Sequence, residues 1–182
     1  GSINNAKVTL TRKAIQLTPD TSLVLIGGGR LPTNPLNHIN DTYNGSILID
    51  PSIMTEWNIF GRHVTTTYEF TATKNFHKYD RNNESKANVS YTLFNYVAVD
   101  TELMKNVVLT LEADYTYGRT YQNTPKGNYS LGQLITYQQP KWNVGLGHTN
   151  SADPFKYDGQ SSNVTVFDKH TSGIYGQMQI IF

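Results

Sequence analysis

Through most of this chain apolar and polar residues alternate one for one, and few folds tolerate that pattern. From Val107 to Tyr117, one series holds Val107, Leu109, Leu111, Ala113, Tyr115 and Tyr117. The other holds Val108, Thr110, Glu112, Asp114 and Thr116. Successive side chains on a strand point to opposite faces, so a period of two predicts strands with one oily and one wet face. Val64 to Ala72 repeats the pattern, with Val64, Thr66, Tyr68, Phe70 and Ala72 against Thr65, Thr67, Glu69 and Thr71. Ile47 to Ile59 sets Ile47, Ile49, Pro51, Ile53, Thr55, Trp57 and Ile59 against Leu48, Asp50, Ser52, Met54, Glu56 and Asn58. No stretch shows a convincing helical period.

Weaker runs obey the same rule. Val89 to Val99 alternates with Asn95 as an exception, and Tyr129 to Tyr137 with Gln133 out of place. Trp142, Val144 and Leu146 alternate with Asn143 and Gly145, and Ile174, Gly176, Met178, Ile180 and Phe182 with Tyr175, Gln177 and Gln179. Between these runs, short links (18–21, 59–63, 100–106, 138–142) take turns with long polar ones (32–44, 74–88, 121–129, 150–172). Antiparallel strands running between two different environments produce that rhythm.

Composition sharpens the reading. Net charge is +1, and no basic patch points to nucleic acid. Hydrophobic residues make up only 37%, yet aromatics make up 12%, a poor recipe for a helical core. With no cysteine, disulfides and thiolate metal sites are excluded. Gly1-Ser2 reads as a tag remnant. No apolar run reaches the roughly 18 residues of a membrane-spanning helix.

A soluble sandwich also alternates, but its strands are usually about 5 to 6 residues long. These runs are longer, and a tilted strand needs about 9 to 11 residues to cross a bilayer. Aromatics at Trp57, Tyr68, Phe70, Tyr91, Tyr115, Tyr117, Tyr129, Tyr137 and Trp142 suit a membrane interface, where an apolar ring meets water at its tip. The expected fold is all-β: a closed antiparallel transmembrane β-barrel of eight strands, near 22–31, 45–58, 62–75, 88–99, 106–120, 129–138, 141–150 and 171–182. A lipid-spanning sheet must close, and this count puts all long loops at one end. On these features the chain resembles the small outer-membrane β-barrel proteins of Gram-negative bacteria, the class that includes the OmpA transmembrane domain, OmpX and OmpW. The resemblance covers architecture over 22–182. It implies a bacterial outer-membrane location, short periplasmic turns and long extracellular loops. It also implies a final strand read by the barrel-assembly machinery through Ile174, Met178, Ile180 and Phe182.

Two domains of unequal size are expected, an N-terminal segment (1–21) and the barrel (22–182). Residues 7–11 alternate and could be a ninth strand, which would move the N-terminus outside. The preferred expectation is a periplasmic or lumen-docked segment. The alternative is a ten-stranded barrel in which 164–167 also pairs. An eight-stranded barrel is just wide enough for side chains to fill. Its expected polar lumen holds Arg30, Asp50, Glu56, Glu69, Glu112, Asp114 and Arg119 as a paired network. Carboxylates outnumber arginines there, so Lys7, Arg12 and Lys13 are expected to neutralise the excess.

No catalytic residues, metal site or cofactor are expected. The lipid A deacylases, a family of barrel enzymes, use a His with a nearby Ser on such a strand, but Thr149-Asn150-Ser151 departs from that spacing, and alternation points His148 toward lipid. His38, His63, His77 and His170 lack metal-ligand spacing. Gly27-Gly28-Gly29 lacks a phosphate-loop ending and suggests a bulge or bend. The expected role is therefore a structural or surface-interaction protein rather than an enzyme. Its partners are the bilayer, lipopolysaccharide and an extracellular surface, with Tyr43, Tyr79, Phe155 and Tyr157 as contact residues. Rival roles are a narrow channel for small or apolar solutes and a lipid-modifying enzyme; a soluble lipocalin-like barrel is the rival fold.

Overall fold

The computed structural model describes residues 5–40, 42–155 and 162–180, apart from the side chains of 36–38. Ten strands form one antiparallel sheet: β1 (Lys7–Thr11), β2 (Ile15–Thr18), β3 (Thr21–Arg30), β4 (Tyr43–Ile59), β5 (Arg62–His77), β6 (Val89–Met104), β7 (Val107–Thr120), β8 (Pro125–Gln139), β9 (Trp142–Ala152) and β10 (Ser172–Ile180). A six-residue helical turn, α1 (Pro35–Asn40), lies between β3 and β4. From β3 onward each strand pairs with the next in sequence. The strands from β3 to β10 fall where the alternation predicts them, because period two is a local signal and these runs are long.

The N-terminal segment differs from expectation. Residues 7–18 lie along the free edge of β3, with β1 against Ile26–Arg30 and β2 against Thr21–Leu23. Between them Arg12 N donates to Leu25 O at 2.9 Å. The two strands therefore share one lane, and ten strands make nine lanes. Residues 7–11 are an edge strand rather than a lumen-docked segment, and 164–167 forms no strand. Gly28 is what lets this lane approach: a Cβ there would sit 2.3 Å from Val8 O. So Gly28 and Gly29 serve close backbone packing, on Val8 and Ser46, rather than a bend.

Short connections and long ones separate cleanly. The turns at 19–20, 60–61, 105–106 and 140–141 lie at one end, and the links 31–42, 78–88, 121–124 and 153–171 lie at the other; the third, expected over 121–129, is only four residues because β8 starts at Pro125. Phe60 and Gly61 both take positive φ (52° and 74°), which suits a two-residue hairpin turn. The sheet is not closed by hydrogen bonds, so β1–β2 and β10 are its two edges. A row across the ladders runs from Ile174 through His148, Gln133, Leu111, Val99, Thr66 and Thr55 to Thr21. It starts near the loop end of β10 and finishes at the turn end of β3. The strands are staggered in the manner of a tilted, curling sheet.

Burial is inverted relative to a soluble domain. Among the described residues, the buried hydrophobics are Leu48, Ala98 and Tyr129. Exposed large apolar residues include Ile47, Ile49, Trp57, Leu111, Ile135, Leu146, Ile174 and Met178. The accessible surface is 12129 Å². A compact soluble chain of 20.5 kDa should expose about 8,900 Å². The excess is what a wall with two open faces produces.

Candidate functional site

Ladder register assigns every strand residue to one of two faces. One face, here called inner, carries all the carboxylates of the strands: Asp50, Glu56, Glu69, Asp100, Glu102, Glu112 and Asp114. Lys7, Arg30 and Lys126 share it. Hydroxyls, rather than arginines, hold these acids. Tyr96 Oη donates to Glu112 Oε2 at 3.0 Å, Thr71 to Glu69 at 3.4 Å, and Thr110 to Asp100 at 2.5 Å. Glu56 meets His63 at 3.5 Å. No Arg–carboxylate bridge occurs among the described residues. Glu69 has Asp50 and Lys7 as its charged neighbours, so β1 delivers a cation to the acidic face, although by an edge lane rather than by docking inside. Arg30, at the loop end of β3, is exposed. One Asp50 carboxylate oxygen is buried without a hydrogen-bond partner. Bulk comes from Leu48, Ala98, Phe94 and Tyr96, the last two stacked at 6.4 Å, and from Tyr175, whose ring lies over Gly147.

The outer face is the complement. Between Lys74 and Arg119 at the loop end and Arg62 at the turn end it carries no charged residue on the described strands. Even its polar exceptions pair with each other: Tyr68 Oη donates to Asn95 Oδ1 at 2.9 Å, and His148 Nδ1 lies 3.2 Å from Gln133 Oε1. Aromatics gather toward both ends. Trp142 packs on Tyr137 at 5.6 Å with Trp57 on the same face at the turn end. Tyr91 and Tyr117, 6.4 Å apart, stand with Tyr115 nearer the loops. Tyr68 and Phe70 sit at mid-strand instead.

Arg119 departs from its expected place. It pairs across the ladders with Tyr91 and Pro125, and its odd number sets it with Tyr115 and Tyr117, opposite Glu112 and Asp114. The alternation of β7 contains this information; counting its residues through to the end of the strand assigns the face. Tyr129 differs too. It is only 4% exposed, because residues 163–167 lie over the outer face of β8 and β9. Its hydroxyl donates to Asn163 O and accepts from Thr165 N. Asn150, fully buried, donates to Thr165 O at 2.6 Å and accepts from Thr171 and Ser172. No sequence signal marks Asn150 as the centre of this hub, since a lone Asn on an apolar face resembles an exception.

Loop-end residues fall into two groups. Tyr43 belongs to β4, meets His77 edge-to-face at 5.5 Å and donates to Ser46. Tyr79 and Phe155 are exposed. Tyr157 and Phe182 lie outside the described residues, while Ile174, Met178 and Ile180 share the outer face of β10. His148 stacks on Phe167 at 5.8 Å and keeps company with Leu146 on the outer face. No group of three or more His, Cys, Asp or Glu able to hold a metal occurs among the described residues. No helix is long and apolar enough to cross a membrane, which says nothing of strands that cross one. Compared with known proteins, the chain matches no family model, no curated protein and no solved structure.

Proposed function

We propose that this chain is an integral outer-membrane β-barrel protein of the small Gram-negative class. In this reading its outer face meets lipid, its inner face fills a polar lumen, and its long loops present a surface to partners outside. One observation carries the reading: every strand carboxylate sits on one face, and the other is a charge-free apolar band edged by aromatics and cations. Carboxylates in hydrocarbon are costly, and large apolar faces in water are rare. Extraction tests it. The protein should need detergent to leave membranes, and the folded form should migrate differently from the boiled form on a gel. Solubility without detergent would sink the proposal. Planar bilayers should stay electrically quiet, because side chains occupy the lumen.

Closure is part of this reading, because an open edge leaves backbone groups unpaired in lipid. With an odd number of lanes the end strands run the same way. Both lane one and β10 run from the loop end to the turn end, so they meet as a parallel pair. Nine lanes spaced about 4.8 Å and tilted about 35–45° close with an offset of about 9 to 13 residues. Only an even offset keeps the apolar face outside, which leaves about 10 or 12. Carried back through the two irregularities of lane one, about ten sets Thr9 beside Gln177, and about twelve sets it beside Gln179. The rival is an eight-lane barrel in which β10 displaces lane one and meets β3 antiparallel. The chain has no cysteine, so paired substitutions report without background. Thr9→Cys with Gln177→Cys or Gln179→Cys should cross-link within the monomer in membranes. Cross-linking of Ile26→Cys with Gln179→Cys instead would choose the eight-lane form.

A further inference from the structure

We propose that Lys74 and Arg119 form a seat for the phosphate of a lipid headgroup on the outer face at the loop end. The inference rests on the membrane reading above. Across the ladders one row runs Ile47, Lys74, Tyr91, Arg119 and Pro125. The two cations are two lanes apart, about 10 Å. Neither has a carboxylate partner among the described residues. The Lys74 ammonium lies 5.4 Å over the Tyr121 ring, which holds it at the level of the aromatic belt.

Arg119 supplies the more pointed observation. Its Nη1 donates to Asn123 Oδ1 at 2.7 Å, but its Nε is buried with no hydrogen-bond partner. A buried guanidinium donor left unmade is costly, so a side-chain rotation that carries the Nε edge out to an acceptor on the outer face is favoured. Arg62, the outer-face cation at the turn end, is different: its Nη1 donates to Leu103 O at 2.9 Å. Arg119 therefore carries a buried, unpaired donor at the loop end, and Arg62 carries none at the turn end.

Directly toward mid-strand from the row, an apolar groove of about 330 Å³ is lined by Ile47, Ile49, Ala72 and Leu93, with Lys74 and Tyr91 at its mouth. Lys74 at the mouth of an apolar groove, with Arg119 one lane beyond Tyr91, matches a ligand with an anionic head and a hydrocarbon tail. A guanidinium fork reads phosphate oxygens two at a time, whereas an ammonium acts as a point charge. The occupant is an anionic membrane lipid with a terminal phosphate rather than free phosphate or a choline-capped lipid, because only it fills the groove and offers the fork an uncapped phosphate.

The test uses the full chain folded in detergent, titrated with dioleoyl phosphatidic acid or with dioleoyl phosphatidylcholine, adducts being counted by native mass spectrometry. Phosphatidic acid should bind preferentially. Arg119→Gln should weaken it about tenfold, the equivalent of one charge-assisted hydrogen bond. Lys74→Gln should weaken it less, and Arg119→Lys should recover only part of the loss. Arg62→Gln should change nothing. Equal binding of both lipids, or an unaltered preference in Arg119→Gln, overturns the seat. Inorganic phosphate that displaces the lipid at equal concentration overturns the lipid as its source. The folded-form gel shift, read on the same samples, separates the two failures. A protein that folds in detergent but shows no preference loses only the seat, while one that stays in solution without detergent loses the membrane reading as well.

Discussion

The outer faces of β5 and β9 carry the same alternation and lead different lives. On β5, Tyr68 stays 44% exposed and Phe76 43%, with nothing but the next strand beside them. On β9, Asn150 is 0% exposed, sealed with Tyr129 beneath the link to β10. Alternation assigns a side chain to a face. Whether that face is bare or covered depends on where a connection travels. The difference also shows in the polar groups: on bare β5 the mid-strand Tyr68 hydroxyl pairs with Asn95 of the next strand, whereas the covered end of β9 hosts a hub.

The hub is where a substitution should cost most. Asn150→Ala removes the donor to Thr165 O and the acceptor for Thr171 and Ser172. Part-buried bonds to Thr165, Thr171 and Ser172 and a buried one to the Tyr129 hydroxyl are lost at once, which together costs about 2 to 4 kcal/mol. A drop in the thermal midpoint of detergent-folded protein would show it. Asn95→Ala, on the bare face, breaks one bond to Tyr68 and should cost about 1 kcal/mol. Equal losses would mean that the cover over β9 contributes nothing.

Next comes charge. Phe70 lies at mid-strand on the outer face of β5, and Thr71 points inward beside Glu69. If the outer face meets lipid as proposed, Phe70→Arg puts a cation in mid-bilayer and should cost about 2 to 4 kcal/mol. Thr71→Arg meets the acidic inner face and should cost clearly less. Both are read from urea titration of protein folded into lipid vesicles. A larger penalty for Thr71→Arg would reverse the two faces.

The contrast between β5 and β9 also marks how far residues alone carry the reading. The placement of β3 to β10, the inner face of Asp50, Glu69, Glu112 and Asp114, and the outer face of His148 all follow from counting by two. Lane one was harder. Lys7 to Thr11 alternates like any strand, but five residues fit a lumen plug as well as an edge, and only the approach of Val8 to Gly28 decides. The hub was illegible, since it joins Tyr129 and Asn150 to Asn163 and Thr165 through a long link with no period. The paired acids were half legible: the carboxylates were expected, but their Thr and Tyr partners are too common in this chain to stand out.

The smallest expected effect separates the hub from the turn that follows it. Asp168 accepts hydrogen bonds from the His170 amide at 2.8 Å and from the Thr171 amide, and these hold its carboxyl below the ordinary range. A carboxyl depressed in the folded state contributes stability above its unfolded value, near 4, and loses it as pH falls through the folded one. The turn at 168–172 should therefore loosen in acid, seen as faster exchange of the His170 amide relative to its intrinsic rate. The Thr165 amide, bonded to the Tyr129 hydroxyl inside the hub, has no carboxylate partner and should hold its protection. If both amides open together, turn and hub are one cooperative unit, and the cover over β9 is a flap hinged at Asp168. If only the turn responds, the cover is fastened at Asn150, and the difference from β5 is built into the buried amide alone.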